Sequence, residues 1–135
     1  MSVIAWKDCY ATGIGEFDAE HKDLVERVNS LYEAIRSKEA AERIKVIVPA
    51  LKAYTLSHFA HEEQLLEEHQ YPNLADHRKE HEDLKLKVGE FEDRLGEDDP
   101  QLPLQLFNFL REWLLHHIVE IDSQYGPFLR DRGVA

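Results

Sequence analysis

LADHRKEHEDLKLKVGEFEDRL, residues 74–95, is the stretch from which the architecture can be read. Leu74, His77, His81, Leu84, Val88, Phe91 and Leu95 recur at three- and four-residue steps, the spacing that puts side chains on one face of an α-helix. Most of the residues between them are charged. The stripe therefore reads as a seam turned toward a core. Two of its positions hold histidine where leucine would serve packing better.

Working outward, three further stretches repeat this pattern. An irregular N-terminal arm, residues 1–17, carries Gly13 and Gly15. Asp18 then reads as the N-cap of a first helix over about 18–37, with His21 at the third helical position. Leu24, Val28, Leu31 and Ile35 continue the seam that His21 begins. A second helix over about 40–69 contains Pro49, which lacks a backbone donor and predicts a kink or a fresh helix start. Beyond it Leu51, Tyr54 or Thr55, His58, Glu62 and Leu65 share one stripe. Tyr71-Pro72-Asn73 is a turn, and Gly96–Pro103 reads as a polar loop. A fourth helix over about 103–122 presents Leu106, Phe109, Leu110, Trp113, Leu114, His117 and Ile121. The tail, 123–135, has room for a turn or two of helix around Pro127. No alternating β-branched run suggests a strand. The expectation is one all-α domain over residues 1–135: an up-down-up-down antiparallel four-helix bundle with an irregular N-terminal arm and a short C-terminal helical tail.

Composition narrows the function classes. The chain has 135 residues, 32% of them charged, a net charge of −11 and a mean hydropathy of −0.51. The acidic excess is spread along the chain and reads as solvated helix faces. Nucleic acid and anionic membrane surfaces carry the same sign and are unfavourable partners. No apolar run approaches the roughly 20 residues needed to span a bilayer, and MSVIAWKDCY lacks the features of a signal peptide. Cys9 is the one cysteine, so no internal disulfide can form, which suits a cytoplasmic protein.

The chemistry lies in the seams. A buried histidine is costly unless its nitrogens find partners. One core histidine is most simply a hydrogen-bonded packing residue, but His21, His58, His77, His81 and His117 all fall on inward faces. Glu62 lies one turn after His58, and His81 one turn after His77. Donors drawn from four helices onto one axis point to metal. Without a set of thiolates, a zinc knuckle or an iron–sulfur cluster is excluded. Imidazole with carboxylate suits iron, manganese, cobalt or zinc. The donors outnumber the needs of one ion, and two ions bridged by carboxylates fit the count. The Glu-x-x-His pairs of ferritin-like bundles are absent, as is the His-Glu-x-x-His of zinc proteases. His61, His69 and His116 read as surface or boundary residues.

Asp18–His21 (DAEH), His58–Glu63 (HFAHEE), Tyr71-Pro72, His77 with His81, and Trp113–His117 (WLLHH) leading to Asp122 together resemble the hemerythrin family, specifically its bacterial branch. The likeness runs from Trp6 to about Tyr125. It implies two iron ions and no haem, with His77, His81 and His117 on one iron and His21 and His58 on the other. Glu62 and Asp122 would bridge them together with a solvent-derived oxo or hydroxo group. The two-histidine iron would keep an open position for dioxygen. Asp122 enters through the resemblance alone. Five residues after His117, it is rotated by about 140° on an ideal helix, and spacing would instead pair Glu120 with His116. Its assignment predicts a distorted helix between His117 and Asp122, such as a π-bulge.

Leu24, Phe59, Trp113, Leu114 and Ile118 are candidate apolar walls for an oxygen pocket, and Trp6 joins them by resemblance. The implied function is reversible dioxygen binding for storage, transport or delivery to an oxygen-consuming recipient protein, without enzymatic turnover. An enzyme acting on peroxide, nitric oxide or dioxygen remains an alternative. So does an oxygen- or redox-sensing adaptor.

Overall fold

The computed structural model describes residues 4–95 and 99–135, and within them the chain is helical with no strand. A short 3-10 turn, Asp8–Tyr10, precedes α1, Gly15–Ile35. Then come α2, Ala40–Glu68; α3, Leu74–Arg94; and α4, Leu102–His116. α4 passes into a π-helical segment, His117–Asp122, and on into α5, Ser123–Asp131. Helix α1 packs on α2 and α4, and α3 packs on the same two, closing a four-helix bundle.

Helix α1 begins three residues before the expected start, and Asp18 is not its cap. Ile14 is the last extended residue, and Asp18 sits inside the first turns. Its carboxylate accepts hydrogen bonds from the Thr12 amide (2.7 Å), the Thr12 hydroxyl (2.8 Å) and the Gly13 amide (3.2 Å), folding the arm back on the helix. Gly13 allows this reversal by adopting φ of +85°. From Ile4 onward the arm is therefore tied down to the bundle. The Ile4 amide donates to Asn29 Oδ1 at 2.8 Å, and Asn29 Nδ2 returns a bond to the Ile4 carbonyl at 2.9 Å. From the other end of the chain, Arg130 donates to the Thr12 carbonyl at 2.6 Å.

Pro49 neither ends α2 nor starts a new helix. It lies on the exposed face beside Lys45 and Val46. The carbonyl of Lys45, which has no proline N–H to accept, is thus on the wet side, where water serves instead. Of the expected loop Gly96–Pro103, residues 96–98 lie outside the described residues. Pro103 falls in the first turn of α4, where a missing N–H costs nothing.

Two apolar clusters fill the molecule. The larger joins residues of α1 to α4 around Leu24, Val28, Leu31, Val48, Phe59, Leu84, Leu106 and Phe107. The smaller gathers Ile14, Phe17, Leu66, Tyr71, Tyr125 and Leu129. Two expected seam positions shift by local geometry. Leu66 is fully buried and Leu65 only half-buried, because the stripe steps by four from Glu62. Likewise Ile118 is buried in place of the half-buried Ile121, since the π-helical turn resets the inward face.

Candidate metal centre

Between the two apolar clusters the four helices place His21 (α1), His58 and Glu62 (α2), His77 and His81 (α3), and His117 and Asp122 (π-helical segment). None is more than 3% exposed. Glu62 is central. Its Oε2 lies 3.0 Å from the Nε2 atoms of both His21 and His58. Its Oε1 lies 3.2 Å from His77 Nε2 and 3.3 Å from His81 Nε2. Asp122 spans the same divide, with Oδ2 3.0 Å from His21 Nε2 and Oδ1 2.9 Å from His117 Nε2 and 3.2 Å from His77 Nε2.

The donor atoms fall into two groups able to hold an ion: Glu62 with His77, His81 and His117, and His21 and His58 with Glu62 and Asp122. In each group the donor atoms lie within 4.8 Å of one another. Among the described residues neither oxygen of Asp122 is aligned for a hydrogen bond, although three ring nitrogens surround it. His81 and His117 also face each other, Nε2 to Nε2, at 3.2 Å. Buried acceptors converging without aligned donors would be wasteful in a purely structural core. They fit cations seated among them, and the nitrogen–carboxylate set fits iron.

The π-helical turn explains how residues five apart share a face. Its i to i+5 periodicity brings His117 and Asp122 inward together, whereas a regular helix would splay them by about 140°. His116 and Glu120, the pair that spacing alone suggests, are exposed. Of the other histidines, His69 is half-buried at the end of α2, and His61 is half-buried against α1.

Seam reasoning overlooked the residues behind the imidazoles. His58 Nδ1 donates to Glu20 Oε1 at 2.5 Å, and His61 Nδ1 donates to Glu20 Oε2 at 2.7 Å. His81 Nδ1 donates to Glu63 Oε2 at 2.8 Å. These carboxylates hold the rings with Nε2 toward the centre. Glu20 and Glu63 adjoin seam residues in sequence and so sit about 100° off the seam, where a carboxylate looks like solvated surface. Tyr125 is a further omission. Its hydroxyl donates to Glu62 Oε2 at 2.7 Å from a fully buried position in α5. Its only sequence signal was a place one turn beyond Asp122, in a stretch that read as tail.

The candidate walls also take definite places. Phe59 stacks on His81 at 3.7 Å with 4° between the rings. Trp113 stacks on His117 at 4.4 Å and 12°, and the two walls meet at 5.9 Å. Leu24, Leu114 and Ile118 are buried in the same cluster as Phe59. Trp6 is half-buried at its edge, edge-on to Tyr10 and beneath Lys22. Phe17, which the sequence reading left at the end of the arm, packs edge-on against His58, His61 and Tyr125.

The electrostatics follow from mutual burial. Desolvation alone would depress the imidazole of His21, but Asp122 and Glu62 overcome it and raise the pKa to about 10. The same balance takes His77 to about 10. His58 rises to about 9 against its burial, through the charge of Glu62 and the hydrogen bond to Glu20. Burial would push Glu62 upward, yet the charge of His58 and the bonds from His21, His58 and His77 hold it well below the usual range. Asp122 is likewise depressed, with His117 and His21 outweighing burial and the neighbouring Glu62.

Four helices around a buried imidazole–carboxylate cluster define a cation-binding helical bundle. Residues 12–129 match the model of the hemerythrin HHE cation binding domain, and the chain belongs to the hemerythrin family. It is 39% identical over 132 residues to a bacteriohemerythrin of Pseudomonas aeruginosa (strain LESB58), covering 96% of this chain and 84% of that one. A bacteriohemerythrin of Methylococcus capsulatus (strain Bath) is 28% identical, with 96% and 98% covered. The crystal structure of a wild-type hemerythrin superposes with a TM-score of 0.82 at 26% identity, covering 93% of this chain and 96% of that one. No helix among the described residues is long and apolar enough to cross a membrane.

Proposed function

We propose that this protein binds dioxygen reversibly at a non-haem di-iron centre, for storage, transport or delivery to an oxygen-consuming protein in the cytoplasm. His77, His81 and His117 would hold one iron, and His21 and His58 the other. Glu62 and Asp122 would bridge them with a solvent-derived oxo or hydroxo group. The observation that carries this reading is that both buried carboxylates face both imidazole groups, one of three rings and one of two. Under that assignment the iron held by His21 and His58 would have fewer protein donors, and so would be the one with room for a ligand. When bound, the iron pair supplies the electrons that dioxygen capture requires.

The remaining roles belong to the chain itself. Glu20 and Glu63 keep His58 and His81 turned inward, and Tyr125 fixes the Oε2 side of Glu62. Phe59, Trp113, Leu24, Leu114 and Ile118 surround the rings with apolar surface that excludes water and strengthens every electrostatic interaction inside.

The test is to reduce the iron-loaded protein, admit oxygen and follow the visible spectrum. An absorption band that forms with oxygen, disappears on its removal and accompanies two irons per chain supports the reading. One metal per chain, or oxidation that cannot be reversed by removing oxygen, overturns it.

A further inference from the structure

A second feature lies one helical turn from the centre and belongs to no part of it. Between α2, α3 and α4 is a cavity lined by Val48, Leu51, Thr55, Leu84, Leu106 and Leu110 among others, with about 30 Å³ open to the centre of a water-sized sphere. One water needs roughly 10–15 Å³ of such space, so this cavity has room for a guest of only two or three heavy atoms. Little of its lining is polar. The Thr55 hydroxyl donates to its own helix at the Leu51 carbonyl, 2.7 Å away. The flanking lysines reach outward, Lys52 to Glu92 at 2.7 Å and Lys85 to Glu82 at 2.8 Å. A water inside would find little beyond the Thr55 oxygen, short of the two to four partners it needs, so the space favours an apolar guest.

Its position gives it a role. Thr55 stands one turn before His58, and Leu84 one turn after His81. Toward solvent the cavity ends at Leu56, which is partly exposed, and at the aliphatic stems of Lys52 and Lys85. We propose that this cavity is a docking site for dioxygen on its way between solvent and the metal centre, entered past Leu56 between α2 and α3; the inference rests on the oxygen-binding reading above. The guest is chosen by size and by the scarcity of polar partners. Neither water nor a charged ligand meets both conditions.

Two measurements separate the cavity from its use. Xenon pressurised over the metal-free protein should shift the methyl NMR signals of Val48, Leu84, Leu106 and Leu110. The Val88→Phe variant, which fills the lining from a half-buried position, should lose those shifts. In the iron-loaded protein, Val88→Phe and the mouth variant Leu56→Trp should slow oxygen association and dissociation by one common factor. Affinity stays unchanged, because a blocked path alters the barrier and not its end states. Absent xenon shifts, or water–methyl cross-relaxation inside the cavity, overturn the dry docking site. Xenon binding with unaltered oxygen rates in both variants overturns the route. A wild-type protein that takes up no oxygen refutes the oxygen-binding reading and the route together, while the xenon result still decides the cavity.

Discussion

Replacing Tyr125 by phenylalanine removes one hydroxyl from the molecule and little else. That hydroxyl donates to Glu62 Oε2 at 2.7 Å, and both side chains are fully buried. A hydrogen bond to a charged group contributes about 1.5–3 kcal/mol. Glu62 Oε2 keeps His21 and His58 at 3.0 Å after the substitution, so the loss falls near the lower end, about 1.5–2 kcal/mol. For a chain of this size each kcal/mol moves Tm by roughly 3–5 °C, giving a drop of about 5–10 °C in the metal-free protein. Calorimetric melting at pH 6 and pH 8 should show the same deficit, since Glu62 is ionised at both. Burial and the charges of Glu62 and Asp122 hold the phenol well above its ordinary pKa, so the donor is present throughout that range. An unchanged Tm in Tyr125→Phe would refute the account of how Glu62 is held. Phenolate absorbance appearing in the folded wild type at mildly alkaline pH would do the same.

Other outcomes follow from the same geometry. In metal-free protein the raised pKa values of His21, His58 and His77, about 9 to 10, contribute stability that is complete below about pH 6.5 and is lost as pH climbs through them. The depressed Glu62 and Asp122 contribute stability present above the usual carboxylate range and lost in acid. Tm without metal should therefore peak near pH 5–6.5 and decline toward pH 10, while metal affinity rises over that decline because protons must leave the imidazoles; a Tm that climbs from pH 7 to pH 9 contradicts this. Gly126→Ala would place a Cβ 2.3 Å from the Thr12 carbonyl oxygen, a backbone atom that cannot swing away. A loss of about 1–3 kcal/mol should accompany faster proteolysis of residues 4–14, and wild-type cleavage rates would rule out the clamp. Leu114→Ala empties a buried site in the wall cluster and should cost about 2–5 kcal/mol. Under the proposed function it should also shorten the lifetime of the oxygenated form, measured by decay of its absorption band. Glu20→Gln weakens the hold on His58 and should lower iron affinity about 10- to 100-fold, read by competition with a chelator.

Much of this protein was legible in one dimension. The three- and four-residue recurrence of apolar side chains is a local property, so helices and seams could be read without knowing what they face. Histidines on those seams were conspicuous because a buried imidazole without a partner is costly; five of the seven clustered side chains surfaced that way, and Glu62 followed as a carboxylate one turn after His58 on the same seam. Asp122 is the exception. Its inward position depends on a π-helical turn that no spacing rule for a regular helix anticipates. Leu66 and Ile118 displaced Leu65 and Ile121 for related reasons of local phase.

What the sequence alone determined is therefore the set of helices, their inward faces and the imidazoles with Glu62 upon them, because periodicity and burial cost act within a single element. Tertiary structure decided the rest. It turned Asp18 from a presumed cap into the anchor of the arm, carried α2 through Pro49 on its wet face, and set Glu20, Glu63 and Tyr125 behind the cluster. The Asp18 anchor depends on a reversal of the chain at Gly13, and the others depend on a partner from a distant part of the chain or on which face meets solvent. Such facts exist only once the helices are packed together.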